Sequence, residues 1–245
     1  MTAASPRVAA VTGAAGGIGS AVCRRLTADG FLVACLDVSA AAAGEVASQL
    51  PGAIGLPVDV RDAAAVRAAG DRVRAVLGAP WLLVNVAGVF SIQRITELGE
   101  AEWDRILDTN LKGPYLTCRE FLPAMIEAGD GCIVNVASTA GVRGGRRRAA
   151  YCASKGGLVQ LSRSLAIDHG PDGIRVSCVC PGLVDTSMAD WIRHDEEALT
   201  QWATTVPARR IGTAAEIAGT IAFLASPAGS YMHGAVLMVD GGSTA

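Results

Sequence analysis

The chain has 245 residues, 51% of them apolar and 18% charged, with a formal net charge of −2. That length and apolar fraction suffice for one substantial core, and the charge balance excludes the basic excess that nucleic acid or an anionic membrane surface would require of a partner. No apolar run reaches the roughly 18–20 residues of a membrane helix, and the N-terminus lacks a charged region leading into a long apolar stretch, so neither a span nor a signal peptide is expected.

A first strand over Arg7–Thr12 runs straight into Gly13-Ala14-Ala15-Gly16-Gly17-Ile18-Gly19 and a helix over Ile18–Asp29. Glycines there let the backbone turn tightly and approach a pyrophosphate, whose charge the helix N-terminal amides favour. Ile18 is expected to plug the helix into the core. The position between strand and helix gives the glycine string its meaning. A second strand, Leu32–Asp37, ends on a carboxylate at about the distance that meets an adenosine ribose. Asp37 has no arginine or lysine beside it, so it favours NAD over NADP; alternatively it caps the following helix, Ala41–Gln49.

The third strand, Ala53–Val58, delivers Asp59 and Val60. Asp59 either accepts from an adenine amino group or caps the helix Ala63–Val76, and the two readings weigh evenly. The fourth strand, Leu82–Val86, is followed by a long helical pattern over Glu100–Glu127. Asn110 stands in the middle of it, a poor interior helix former that suggests a kink with a bound water. The fifth strand, Cys132–Ala137, places Ser138 at its carboxyl end, where a hydroxyl can donate to an oxygen gaining charge or simply form a turn.

The next helix, Ala150–Asp168, carries Tyr151 and Lys155 four residues apart on one face. A phenol of pKa about 10 is a poor base at neutral pH, and a fixed positive charge beside it is expected to lower that pKa. Lys155 is one of only two lysines, with Lys112, and Tyr151 one of three tyrosines. Upstream, Arg143-Gly144-Gly145-Arg146-Arg147-Arg148 leads into this helix. Arg148 is either a substrate residue that grips a carboxylate with both edges or part of a solvated loop.

A sixth strand, Ile174–Cys180, closes on Pro181-Gly182. The stretch from Leu183 to Arg210, with Trp191 and Trp202, breaks the rhythm, and reads as a lid over a ligand or as a surface excursion packed against a neighbouring subunit. A helix over Ala214–Ala225 and a strand over Val236–Val239 complete the pattern. Unbroken apolar strands alternating with amphipathic helices predict a seven-stranded parallel sheet of doubly wound Rossmann type, without a linker to divide it. The seven cysteines form no CxxC pair and sit mostly in apolar runs, which suits a reducing cytoplasmic setting; the three histidines have no metal-ligand spacing, so no metal is expected.

At this point the chain resembles the short-chain dehydrogenase/reductase family along nearly its whole length. The markers are Thr12-Gly13-x-x-x-Gly17-Ile18-Gly19, Asp59-Val60, Asn85-x-Ala87-Gly88, Asn110, Ser138, Tyr151-x-x-x-Lys155, Pro181-Gly182 with Thr186, and Asp240-Gly241-Gly242. The resemblance implies a catalytic tetrad of Asn110, Ser138, Tyr151 and Lys155, with Asn110 ordering a water that links Lys155 to solvent. It implies that Asp59 and Val60 flank adenine, that Asn85, Ala87 and Gly88 approach the dinucleotide, and that Val184 and Thr186 touch the nicotinamide carboxamide. It also implies a homotetramer or homodimer. One departure is Val86, where the family commonly has a second asparagine. The leading expectation is therefore an NAD-dependent oxidoreductase for a small-molecule secondary alcohol or ketone, a cyclic alcohol or dihydrodiol among them. An NADPH-dependent 3-oxoacyl (carrier-protein) reductase is the alternative, and a non-catalytic NAD(H) sensor a distant third.

Overall fold

The computed structural model describes residues 6–245. Its seven strands are β1 (Val8–Thr12), β2 (Leu32–Asp37), β3 (Ile54–Pro57), β4 (Pro80–Asn85), β5 (Gly131–Val136), β6 (Ile174–Pro181) and β7 (Val236–Val239). All pair in parallel, in the order β3-β2-β1-β4-β5-β6-β7. Parallel neighbours need crossover helices, and these cover both faces of the sheet. Alternate residues of β1 show why its apolar run is unbroken. Ala9 and Val11 pack into one core with Val22 and Leu26 of helix α1 (Gly17–Ala28) and Ile217 and Ile221 of helix α9 (Ala214–Ala225). Val8 and Ala10 pack into the other, with Val66 and Val73 of α3 (Ala63–Leu77) and Phe121 of α5 (Gly113–Ala128).

Six of the seven cysteines are buried and all are unpaired thiols. Burial pushes Cys118 up to about 12 and Cys132 up to about 11, as expected of small core residues without reactivity.

The long helix expected over Glu100–Glu127 is interrupted. Helix α4 (Glu100–Leu107) passes into a π-helical turn, Asp108–Lys112, before α5 begins. Such a turn inserts a residue into the ladder, so the helix is irregular where Asn110 stands. Helix α2 (Ala40–Ser48) follows β2, and α6 (Ala149–His169) follows β5. The stretch after β6 holds a 3-10 turn at Ser187–Ala189 and two short helices, α7 (Asp190–Arg193) and α8 (Glu196–Thr204). Its base is clasped, because Gly212 N–H donates to Leu183 O and Asp185 N–H donates to Gly212 O, each at 2.9 Å. No described helix is long and apolar enough to cross a membrane.

Candidate active site

A long cleft lies beyond the carboxyl ends of the strands, with two lobes that share Ile18, Val86, Gly88, Thr186 and Met188. Chain order reverses between β1 and β4, and open parallel sheets receive ligands at such a point.

The first lobe is built on the turn after β1. Gly13 has φ +64°, and a Cβ there would stand 2.8 Å from Ala87 Cα; one on Gly17 would stand 2.6 Å from Thr186 Cγ2. Neither position has room for a side chain. No side chain caps the first turn of α1, so its amides face the lobe as a ready anion site. Ile18 packs against the core but also lines both lobes, so it does more than plug the helix.

Asp37 ends β2 on the rim of this lobe. Its Oδ2 accepts from Ala15 N–H at 3.0 Å and its Oδ1 from Ser39 N–H at 3.2 Å. The helix cap is Ser39, whose hydroxyl accepts from Ala42 N–H, which corrects the capping alternative for Asp37. The same correction holds for Asp59. Asp62 caps α3, accepting from Ala64 and Ala65 N–H. The Asp59 carboxylate instead receives Arg61 at 2.6–3.1 Å, and this guanidinium holds its pKa below the ordinary range. Val60, Ala87 and Gly88 line the lobe beside it.

Asn85 is a correction of another kind. Its amide donates to Asn135 Oδ1 at 2.8 Å and its oxygen accepts from Thr117 at 2.7 Å, while Asn135 donates on to Ser162. The side chain is spent inside the core and lines neither lobe. It ties β4 to β5 and α5, so its contribution to the cleft is to hold Ala87 and Gly88 in place.

The second lobe gathers Ser138, Tyr151 and Lys155 from β5 and α6. The Ser138 hydroxyl accepts from Ala140 N–H at 3.1 Å, so the turn role and the cleft position are compatible. Tyr151 and Lys155 are 8% and 3% exposed. The Lys155 ammonium donates to Val136 O at 2.8 Å and stands 5.9 Å from the centroid of the Tyr151 ring. Burial raises the Tyr151 pKa, and the Ser138 hydroxyl and the Arg148 guanidinium oppose it without prevailing. Burial likewise lowers Lys155 to about 8. The expectation of a phenol brought down by Lys155 is thus corrected: the ammonium is engaged on a carbonyl, and desolvation outweighs nearby charge.

Asn110 is fully buried in the π turn. Its oxygen accepts from Val89 N–H at 2.8 Å, and its amide donates to Val89 O at 2.9 Å and Ser154 at 3.1 Å. It therefore pins the loop after β4 to α6 just behind Lys155. A Cβ on Gly88 would stand 3.3 Å from Asn110 Oδ1 and 3.4 Å from Lys155 Nζ, so the three meet at one point.

Pro181, Gly182, Val184 and Thr186 form the wall opposite. A Cβ on Gly182 would stand 2.9 Å from Asp240 Cα, which accounts for glycine there. Met188, Trp191 and Trp202 reach the lobe from the stretch after β6. Sequence reading missed Phe90, which stacks edge-on against Tyr151 with centroids 4.9 Å apart. The available signal was an aromatic two residues beyond Ala87-Gly88. Of the two readings left open for Arg148, the structure places its side chain in the lining of this lobe.

Residues 13–244 match a family model described as enoyl-(acyl carrier protein) reductase. The chain is 38% identical to 2-(R)-hydroxypropyl-CoM dehydrogenase of Xanthobacter autotrophicus, over 98% of this chain and 99% of that protein. It is 40% identical to cis-4-hydroxycyclohexanecarboxylate dehydrogenase of Sinomonas cyclohexanicum, over 98% and 97% of the two chains. Among solved structures, that of gox2181 superposes with a TM-score of 0.94 at 32% identity, covering 98% of this chain and 96% of the other. With these matches running the length of both lobes, the chain belongs to the short-chain dehydrogenase/reductase family of nicotinamide-dependent oxidoreductases.

Proposed function

We propose that the protein is an NAD-dependent dehydrogenase and ketoreductase of secondary alcohols, with cyclic alcohols and diols in its range. One observation carries the reading: Ser138, Tyr151 and Lys155 line one lobe of a cleft whose other lobe is floored by the glycine turn after β1 and rimmed by Asp37. Relatives named as dehydrogenases of a hydroxypropyl compound and of a hydroxycyclohexane carboxylate support the alcohol class.

The turn residues Gly13, Gly17, Ile18 and Gly19 would hold the pyrophosphate, Asp37 the adenosine ribose, Asp59 and Val60 the adenine, and Val184 and Thr186 the carboxamide. NAD, when bound, supplies the carbon that takes or gives the hydride. The chain's own work is proton transfer and charge stabilisation. Tyr151 takes the hydroxyl proton during oxidation or returns it to the carbonyl oxygen during reduction. Ser138 donates to that oxygen as charge develops on it. Lys155 holds positive charge beside the phenol, and Asn110 positions Lys155 through the contacts just described.

NAD rather than NADP is favoured because the Asp37 carboxylate, fixed by two amides, would repel a 2′-phosphate. The two arginines that line this lobe do not offset it. Arg61 is neutralised by Asp59, and Arg105 by Glu102 at 2.7 Å. The second reading is an NADPH-dependent reductase of carrier-bound 3-oxoacyl groups; the family model's description supports it only as far as a carrier-bound acyl substrate, since it names an enoyl and not a 3-oxoacyl reductase. A screen of absorbance at 340 nm with both cofactors, across polyols, ring diols, steroids, keto acids and 3-oxoacyl thioesters, decides between them. Turnover with NAD and a secondary alcohol is expected. Preference for NADPH and a thioester would replace the first reading with the second. The stretch 183–210 serves in this proposal as a lid, since Met188, Trp191 and Trp202 border the lobe. The unpaired thiols are in keeping with a reducing cytoplasmic setting.

A further inference from the structure

Resting on the dehydrogenase reading, we propose that the preferred substrate carries a carboxylate remote from its reacting carbon, and that Arg148 binds it.

The Arg148 guanidinium lies between two aromatic rings, its Cζ 5.2 Å from the centroid of Phe90 and 5.1 Å from that of Trp191. Stacking of this kind holds the guanidinium plane in place and leaves its N–H edge for a ligand. Three neighbouring arginines are engaged elsewhere, and Arg146 is exposed and lies outside the lobe's lining. Arg143 donates to Ser243 O at 2.7 Å, Arg147 pairs with Glu97 at 3.9 Å and Arg193 with Asp190 at 2.9 Å. Arg148, half-buried, forms no ion pair, and its guanidinium no hydrogen bond, with any described residue. A stacked cation whose donors no protein group uses is free to receive an anion.

The lobe supplies no such anion itself. Apart from Tyr151, the ionisable side chains that line it are Arg143, Arg148 and Lys155, without an aspartate or glutamate. Its potential therefore selects for negative charge. Arg148 is also held firmly by its backbone. It opens α6, its carbonyl accepts from Cys152 N–H at 2.8 Å, and the preceding carbonyl of Arg147 accepts from Gln93 N–H at 2.8 Å. Arg147 sits at φ +58° to make that turn, a left-handed conformation a non-glycine residue adopts at a cost. Tyr151 follows one helical turn later on the same side, and both residues rest against Phe90. Between them the lobe is lined by Phe90, Leu183, Met188 and Trp191. The matching molecule has an alcohol or ketone at the Tyr151 end, an apolar middle, and a planar carboxylate that the guanidinium fork can hold with two parallel hydrogen bonds.

The test compares matched pairs on the holoenzyme. Calorimetric titration of the protein with NADH bound should show cyclohexanecarboxylate binding at least about tenfold tighter than cyclohexanecarboxamide. In turnover, 4-hydroxycyclohexanecarboxylate should exceed its amide in kcat/KM, and Arg148→Gln should cut that ratio by about 30-fold. Arg148→Lys, which keeps the charge but loses the fork, should restore part of it. Equal binding of acid and amide by the wild type, or a ratio that survives Arg148→Gln, overturns the inference. Turnover of neutral alcohols without a carboxylate preference sinks this inference alone. A carboxylate preference abolished by Arg148→Gln in a protein that turns over no alcohol would instead sink the dehydrogenase reading and leave the anion site standing.

Discussion

Tyr151 and Lys155 show how burial competes with charge at single residues. Burial raises the phenol's pKa, so its ionised form is scarce at neutral pH. Alcohol oxidation, which needs a proton acceptor, is therefore expected to quicken as pH rises from 6 to 10, and ketone reduction to slow over the same range. Tyr151→Phe should lower kcat by about 10²–10⁴-fold in both directions while the melting temperature moves little; near-normal turnover by that variant would remove Tyr151 from the chemistry. Lys155 carries the opposite liability. Its pKa is lowered from 10.5 to about 8 in the folded protein, so holding it charged at pH 7 costs about 3 kcal/mol. Between pH 8 and 10.5 the unfolded chain binds more protons, and stability of the wild type rises with pH across that window. Lys155→Met removes the charge but leaves Val136 O unpaired, a loss of about 1 kcal/mol. The variant should thus be inactive yet melt about 5 °C higher at pH 7, with the advantage shrinking by pH 10. Equal gains at both pH values would show that the lysine's charge is not what strains the fold.

At the level of elements, the strands and helices were legible because each face of the sheet is buried, so every strand is an apolar run bounded by polar turns. Observed and expected strand boundaries agree within two residues: Leu32–Asp37 and Val236–Val239 coincide, while Ile54–Pro57 stands against 53–58 and Pro80–Asn85 against 82–86. The π turn was only half legible. Asn110 marked the site, but the apolar period runs through Asp108–Lys112 without a break, so the pattern alone gave one helix where there are two. Side-chain destinations were harder still. Asn85 ends β4, where one step of strand alternation decides between cleft and core, and a single chain cannot reveal that Thr117 and Asn135 wait on the core side. Phe90 touches Tyr151 only through tertiary structure. The π turn itself is testable. Asn110→Leu removes both hydrogen bonds that Asn110 makes to the half-buried backbone of Val89 and the one to buried Ser154, which should cost about 3 kcal/mol and lower the melting temperature by about 9 °C. It should also weaken turnover by freeing the loop behind Lys155. A melting temperature within 2 °C of wild type (about 1 kcal/mol or less) would mean that the turn does not depend on this side chain.

For the molecule as a whole, β7 is the outermost strand of the sheet on one side, paired only with β6 among the described residues, and its four residues are each half-buried. An open edge of this kind invites a partner and is rarely left bare. Apolar side chains crowd the same side. Tyr231, just before β7, is 100% exposed, and Ile167 at the end of α6 is 77% exposed. The two segments adjoin, since a Cβ on Gly170 would stand 3.5 Å from the His233 ring and one on Gly234 3.6 Å from Ala166 Cβ. Exposed aromatic and branched side chains beside an open strand form the sort of patch that a second copy of the chain covers. We therefore expect sedimentation equilibrium to give a mass two or four times the 25.0 kDa of one chain. Tyr231→Asp combined with Ile167→Asp places charge in the contact without disturbing either core, and should shift the protein to a lighter species. The Asp37 lobe of the cleft is built mainly on the carboxyl ends of β1, β2, β3 and β4, away from β7 in the strand order, so the lighter species should still bind NADH. A wild-type protein that sediments as a single chain, or a double variant of unchanged mass, would mean that this edge stands open in solution.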